Sequence, residues 1–600
     1  MSADRDIRPR PPLLTVGLIL LCYLSLTYAW ENFRNTNEYS RIFLTRAMIE
    51  HQSFSIDPLL KIHDTQDKSD YQGHHYSNKA PASSFLAAPA YLAVRLAEIL
   101  GRFSASDAVR LYLVTSLTVS VPSALFLLLL FKFWSVITLQ GPLRRAVLIL
   151  YGLGTMAWPY STMYYGHIPA ALGLALAFLI VFSARDAVTG SRPILEAGFF
   201  CGLAFAIEYP TALISAALFL YGAAVFKKLR AGIYQLAAMA AIFFLWSRLD
   251  GIEAAVAPHI ESLVDPAGAL LVSAIVITAV IGLGAASRGP GLLLFFLGAA
   301  IPVGLTFYYH NSCFGGPLQF PYYHETYPLF NLAHQRGIAG VSLPADPEEL
   351  LRYLDRLWRL LVSPYRGLFF YSPFLLFGTA GMVKMVRSET WRREGILFLS
   401  LSGLYLLFLA AFSDWEGGWS MGPRHLVPLL PFLATGVVYG LARIRPERRV
   451  VWGTVLAAAG LISIGFTFVG TVTFPYFPKE FLNPLYDPAG KLLQAGRIAP
   501  TVGELFGLRG WSRILPAAIP AALLAALFLK DTARFAARSL ARQVLLIAAA
   551  ILAAGILLRV GVGAGQRRAE NLSARDRLLQ EEQRGRMLYF MEREGEGERR

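Results

Sequence analysis

RLYLVTSLTVSVPSALFLLLLF, Arg110–Phe131, carries no charge after its first residue. About 20 apolar residues wound at ~1.5 Å each reach across a hydrocarbon core of about 30 Å, so this stretch reads as a membrane-spanning helix. Lipid offers no hydrogen bonds to a backbone, and the alternating pattern of a barrel strand is absent, which leaves the helix as the one spanning form. Comparable runs lie on both sides, at 13–30, 145–158, 168–183, 194–207, 210–226, 231–247, 268–286, 291–308, 367–386, 395–412, 425–442, 450–470, 512–529 and 540–562. The predicted fold class is an all-α polytopic membrane protein, a bundle of roughly 12–15 transmembrane helices.

Composition agrees. Of 600 residues, 55% are hydrophobic and 16% charged, and a mean hydropathy of +0.47 lies outside the soluble range. The net charge of +15 sits in short clusters between apolar runs, at Arg144 and Arg145, Lys227 to Arg230, Arg392 and Arg393, and Arg443 to Arg449. That is the distribution of cytoplasmic loops under the positive-inside rule, and it argues against nucleic acid as a partner. Cys22, Cys201 and Cys313 stand far apart, which excludes a disulfide framework and a thiolate metal site. Arg5, Arg8 and Arg10 before Pro11 to Ala29 resemble a signal peptide, but no small-residue cleavage site follows, so the segment is read as a first span with its N-terminus in the cytoplasm.

Basic loops placed inside put four stretches on the opposite face: 31–81, Pro159 to Gly166, 309–366, and 413–424 with 471–511. Within the first, Ile42, Phe43, Ala47 and Met48 set against Arg41, Arg46 and Glu50 predict an amphipathic juxtamembrane helix lying on the bilayer. Arg95 and Glu98 argue that 82–100 is a surface or re-entrant helix rather than a span. The tail from Gln566 to Arg600 reads as a solvated helix.

The candidate chemistry falls in or beside those four stretches. Asn37, Glu38 and Arg41 lie within one turn just past the first span; the Glu38 carboxylate can accept a proton from a hydroxyl or hold a metal, or simply pair with Arg41. Asp57, Asp64, Asp67 and Asp70 read as ordinary surface acids. Lys79, where the chain returns to apolar sequence, is a compact cation at headgroup depth suited to a phosphate, or an interfacial snorkelling lysine. His167 closes the turn Tyr160–Gly166 and is more simply a satisfied structural histidine. Glu208, with Tyr209 and Pro210 between two apolar runs, has few cheap partners and is read as orienting a cation or hydroxyl.

The densest motif is Trp415-Glu416-Gly417-Gly418-Trp419-Ser420-Met421-Gly422-Pro423-Arg424-His425. Its glycines let backbone approach a ligand, Trp415 and Trp419 offer flat faces to a sugar or isoprenoid, and Arg424 can bind phosphate with two parallel hydrogen bonds. A glycine-rich interfacial turn with an aromatic belt is the bland alternative. Arg366 in Ser363-Pro364-Tyr365-Arg366-Gly367 supplies a second arginine, and Asn311 to Pro317 a further glycine turn. No phosphate-binding loop of the Walker type, no HExxH zinc motif and no GxSxG nucleophile elbow occurs, so ATP-driven transport and soluble-type hydrolysis lack support.

NEYSR after the first span, YSNKAP, a histidine after the fourth run, EYP in the membrane and the late WEGGWSMGPRHLVPLLP together resemble polytopic glycosyltransferases of the C-type (GT-C) fold. That group includes lipid-A aminoarabinose transferases and protein O-mannosyltransferases, and the likeness spans about 13–470. The resemblance implies a GT-C-like catalytic domain over 1–470, with 31–81 as the first extracytoplasmic loop and 309–366 as an insert, then 471–562 as a loop with C-terminal spans, and 563–600 as a charged tail. It also implies sugar transfer from a polyprenyl-phosphate donor to an acceptor hydroxyl on lipid, polysaccharide or protein, at the outer face of a bacterial inner membrane. In such families an Asp-Glu pair follows the first span and the Asp is the usual base; here Asn37 holds that place and leaves Glu38 as the nearest acid. Lys79 matches the lysine near the carrier phosphate.

Such a transfer needs a base, which would be Glu38, and cations for the departing phosphate, which would be Lys79, Arg424 and Arg366. No cofactor is required, a divalent metal is allowed, and single displacement inverts the anomeric centre. Two other readings stand beside this one: a transporter or flippase of lipid-linked sugar, and a membrane scaffold binding partners through 309–366 and 471–511.

Overall fold

The computed structural model describes residues 11–27, 35–185, 192–237, 292–327 and 340–536. The expected spans 268–286 and 540–562, part of 231–247, the first arginines and the charged tail lie outside them. The described chain is mostly helical; seven of its helices are long and apolar enough to cross a membrane, and four shorter ones are also apolar. This is a multi-pass helical membrane protein, as the hydropathy predicts.

The chain divides into two compact units, one formed by residues 1–79, 83–172 and 322–600, the other by 80–82 and 173–321. In the first unit α1 (Leu13–Thr27) packs on a late helix of the chain, Leu515–Ala536. Tyr23 donates to the Gly152 carbonyl at 3.0 Å and Ser25 to that of Pro516 at 2.9 Å. Asp531, buried in that late helix, takes both hydrogen bonds of an Arg145 fork at 2.6 and 2.7 Å. Arg144 is fully buried, donates to the Phe131 carbonyl at 3.1 Å and lies over the Phe131 ring. These two arginines are thus tied to protein partners and do not form a free loop cluster.

Elsewhere in this unit Leu376–Val386 and Leu430–Ala442 cross backbone to backbone. A Cβ on Gly381 would fall 1.8 Å from the Gly436 carbonyl oxygen, so the crossing exists only because both positions lack side chains.

One expectation fails on the outer stretch and a second loses its argument. The helix α2 (Thr36–Glu50) is not a surface helix: Glu38, Arg41 and Thr45 are buried on one side of it and Phe43, Leu44 and Ala47 on others. The polar and apolar positions that suggested a water–lipid boundary instead face two kinds of protein interior. The helix α3 (Ala82–Gly101) is long and apolar enough to span. Its charges are internally neutralised, because buried Glu98 accepts from both Arg95 and Arg110. That pairing removes the cost that argued against crossing.

Between α2 and α3 the sequence reading missed a hairpin, β1 (Lys68–Tyr71) antiparallel to β2 (His74–Ser77), in the register Lys68↔Ser77 and Tyr71↔His74. Gln72 and Gly73 at φ 53° and 81° make the two-residue turn whose twist suits a hairpin. Asp57 braces it, accepting from the His74 and His75 rings at 2.9 Å each.

In the second unit Arg192–Ile207 and Leu293–Phe314 make a similar glycine crossing, with Gly198 against the Phe295 carbonyl and Gly298 against that of Leu195. Glu208 and Tyr209 fall in this unit, where the chain breaks between Arg192–Ile207 and Ala212–Val225.

Candidate active site

The four stretches expected on one face do meet within the first unit. Asn35 caps α2, its side-chain oxygen accepting from Asn37 N–H at 3.0 Å while its amide donates to the Trp419 carbonyl at 3.0 Å. Asn78 donates to Glu325 at 2.9 Å, joining the first loop to the 309–366 insert. Capping fixes the first turn of α2, and that turn carries Glu38.

Glu38 is buried. One carboxylate oxygen accepts from the Tyr164 backbone N–H at 2.8 Å, in the Pro159–Gly166 turn, and the other from the Tyr476 hydroxyl, in 471–511. Two remote parts of the chain therefore hold this one carboxylate. Arg41 donates to the Asn37 side chain at 2.9 Å and to Ser83 at 2.6 Å. Asn37, an amide, is no base; it orients the arginine.

Lys79 pairs with Asp67 at 3.2 Å, both largely buried, and Asp67 also accepts from Thr36 at 3.0 Å. This corrects the reading of Asp67 as a surface acid. The spacing from Asp67 to Lys79 hides the contact, because β1 and β2 double back between them.

His167 sits edge-on to Tyr160 and to His425, with ring centroids 5.6 and 5.5 Å away, and stacks on Tyr165. His167 is buried, and the charges acting on its ring are those of Arg424, Arg41 and Lys79, from separate stretches of chain. The Tyr165 hydroxyl is buried without a hydrogen-bond partner among the described residues. Burial pushes its phenol well up in pKa; Arg424 pulls it back, while Glu38, Tyr160 and Asp67 push it further. The Arg424 guanidinium lies 5.8 Å from the centre of that ring, and a buried hydroxyl beside a cation can donate to a substrate oxygen.

The glycine-rich motif is a folded loop. Gly417, Gly418 and Gly422 take φ of 73°, 58° and 59°, and a Cβ on Gly417 would lie 2.6 Å from Arg424 Nε. Arg424 reaches Asp414 at 3.5 Å. Trp415 is buried edge-to-face on Tyr365, and Trp419, half-buried, lies against Phe474. Arg366 differs from its expected role. It is fully buried and donates to the carbonyls of Glu416 at 3.0 Å, Gly418 at 2.9 Å, Phe477 at 3.3 Å and Tyr365 at 3.1 Å. A guanidinium so engaged shapes the loop that carries Arg424.

Glu208 precedes the turn Tyr209–Thr211 in the second unit and is half-buried there. Tyr209 bonds His310 at 2.7 Å, and the other nitrogen of that ring faces the Pro317 carbonyl at 3.0 Å, in the NSCFGGP turn. Among the described residues, no group of three or more His, Cys, Asp or Glu is placed to hold a metal ion. A cavity of about 330 Å³ opens on another side of α2, lined by Tyr39, Phe43, Arg46, His63, Tyr91 and Arg110 among others.

Sequence reasoning missed Tyr165, Tyr476 and Asp414. Tyr476, in Phe474-Pro475-Tyr476-Phe477-Pro478, carried the one usable signal, an aromatic and proline run in a polar loop.

No protein-family model and no curated protein matches the chain. Two solved structures are similar to it. ArnT from Cupriavidus metallidurans bound to undecaprenyl phosphate has a TM-score of 0.42 at 13% identity, covering 87% of this chain and 77% of that one. The same protein in the apo state has a TM-score of 0.40 at 13% identity, covering 89% and 76%.

Proposed function

We propose that this chain is a membrane glycosyltransferase of the GT-C kind, moving a sugar from a polyprenyl-phosphate donor to an acceptor hydroxyl on the extracytoplasmic face of a bacterial inner membrane. The observation that carries the reading is Glu38: a buried carboxylate held by Tyr164 N–H and the Tyr476 hydroxyl, on the same helix as Arg41 and in the unit that also holds Lys79 and Arg424. A carboxylate is the proton acceptor that an attacking hydroxyl needs, and fixed cations are what a departing phosphate needs. The donor is of the lipid-phosphate class, as is the undecaprenyl phosphate in one ArnT structure; the reading rests on the residues of this site.

The acceptor oxygen forms a bond to the anomeric carbon as the bond from that carbon to the phosphate oxygen breaks, and the configuration inverts. Glu38 takes the hydroxyl proton, and the electron pair leaves with the phosphate, whose charge Arg424 and Lys79 balance. Arg41, fixed by Asn37, and His167 set the field. Trp419 offers the more open aromatic face to sugar or isoprenoid. Arg366 and Trp415 position the loop.

The test is transfer from radiolabelled polyprenyl-phosphate sugar in membranes holding the wild-type chain or Glu38→Gln. Glutamine still accepts from Tyr164 N–H, so the variant should fold and elute as the wild type does. Loss of the base should lower transfer by about 10²–10⁴-fold. A Glu38→Gln enzyme with full transfer would overturn the assignment.

A further inference from the structure

The helix α4 (Pro347–Leu361) is built by its sequence to be stable and two-faced. Asp346 caps it, accepting from Glu349 N–H at 2.7 Å, and Pro347 opens its first turn. Leu350, Leu351, Leu354, Leu357, Trp358 and Leu361 fall on one arc at the helical period, and Glu348, Arg352, Asp355 and Arg359 on the opposite arc, paired as Glu348–Arg352 and Asp355–Arg359.

Among the described residues most of this arc is left open, with Leu357 and Leu361 half-buried at its rim. Leu351 is 67% exposed, Trp358 63%, Leu354 49% and Leu350 46%, and Leu360, which is off that arc, is the helix's one buried residue. The helix is held by its flank: Tyr353 donates to the Leu407 carbonyl at 3.0 Å and Arg356 to that of Ala410 at 3.1 Å. Both carbonyls belong to the last turns of the spanning helix Arg392–Ala411, whose Ile396, Leu404 and Leu407 face outward, about half exposed.

We infer that α4 lies in the membrane–water interface with this leucine and tryptophan face in the lipid, and so fixes the depth of the glycine-rich loop. Lipid is the occupant because the apolar arc continues the lipid-facing wall of Arg392–Ala411 at the end of that span, where hydrocarbon gives way to headgroups. Tryptophan is at home at that boundary, and arginines can keep their stems in it. Three arginines balance three acids in 347–361, so apolar burial and not attraction to anionic lipid drives the docking. Residues 362–365 then lead directly to Arg366, which grips the carbonyls of Glu416 and Gly418. A strut resting on the interface thereby holds the loop that carries Arg424 at a set height. The inference does not require the proposed transfer reaction.

The test is spin-label accessibility in the full chain reconstituted in uncharged phosphatidylcholine vesicles. Labels are placed singly through Leu351→Cys, Leu354→Cys, Glu348→Cys and Asp355→Cys; the natural cysteines are buried. All four positions are exposed, so the fold should be unaffected, as elution position checks. Labels at 351 and 354 should collide more with oxygen than with a nickel chelate, and labels at 348 and 355 the reverse. As a second measurement, Trp358→Phe should remove fluorescence quenched by lipids brominated near the headgroup. Nickel access at 351 and 354 equal to that at 355, or exclusion of both reagents there by a protein partner or second copy, would overturn the inference. A need for anionic lipid would refute its apolar basis.

Discussion

Replacing Arg366 separates a loop clamp from a phosphate ligand. Its guanidinium holds Glu416, Gly418 and Phe477 carbonyls from two other stretches of chain, besides its neighbour Tyr365. Each charge-assisted bond contributes about 1.5–3 kcal/mol, but three that share one group do not add. Arg366→Met leaves those carbonyls buried without donors and should cost about 3–5 kcal/mol, the range for breaking a buried charged contact. Arg366→Lys keeps the charge, yet an ammonium cannot span the fork, so about 2 kcal/mol should still be lost. Thermal unfolding in detergent reads the loss, and tryptic cleavage after Arg424, buried in the wild type, reads loosening of the loop. The reasoning fails if Arg366→Lys unfolds and resists trypsin as the wild type does while its demand for carrier-lipid substrate rises; that pattern would make Arg366 a phosphate ligand.

The Asp67–Lys79 pair is largely buried, so Asp67→Asn should destabilise by about 3–5 kcal/mol and Asp67→Asn with Lys79→Met by much less, while the double variant still lacks transfer. A double variant that regains activity along with stability would assign Lys79 to structure alone. Burial raises the Glu416 carboxyl above its ordinary value; Arg366 and Lys479 pull it back and Asp414 adds to the rise. A raised carboxyl binds its proton more tightly in the folded state, so stability should fall as pH climbs from the ordinary carboxylate range through the raised value, and Glu416→Gln should flatten that fall in unfolding scans. Gly381→Val places methyls into the Gly436 backbone and should cost more than the ~1–3 kcal/mol of ordinary overpacking, seen as lost monodisperse expression; a wild-type yield would contradict the crossing.

Most of the spans were legible because a run such as Arg110–Phe131 answers to one variable, apolar length. The helix found there, Asp107–Val136, contains the expected run, and those at His167–Ser183 and Pro446–Thr473 contain or nearly match theirs. Amphipathic helices were harder. A pattern of polar and apolar positions on α2 looks the same whether its polar side meets water or, as here, Tyr164 and Ser83. The helix that does leave its apolar arc open, α4, has the plainer pattern and lies in the stretch taken only as an insert.

Sequence alone determined that this chain is a helical membrane protein, and singled out Glu38, Lys79, His167 and Arg424 as candidates, because hydropathy and charge act locally and survive reading one residue at a time. Which partners each of them meets was decided by tertiary contacts. Arg424 and Arg366 look alike in sequence, each beside glycine in a loop. One faces Tyr165 and His167 across the cluster, and the other is surrounded by four carbonyls. The difference depends on where residues 416–418 and 477 return in space, and no local pattern encodes that return.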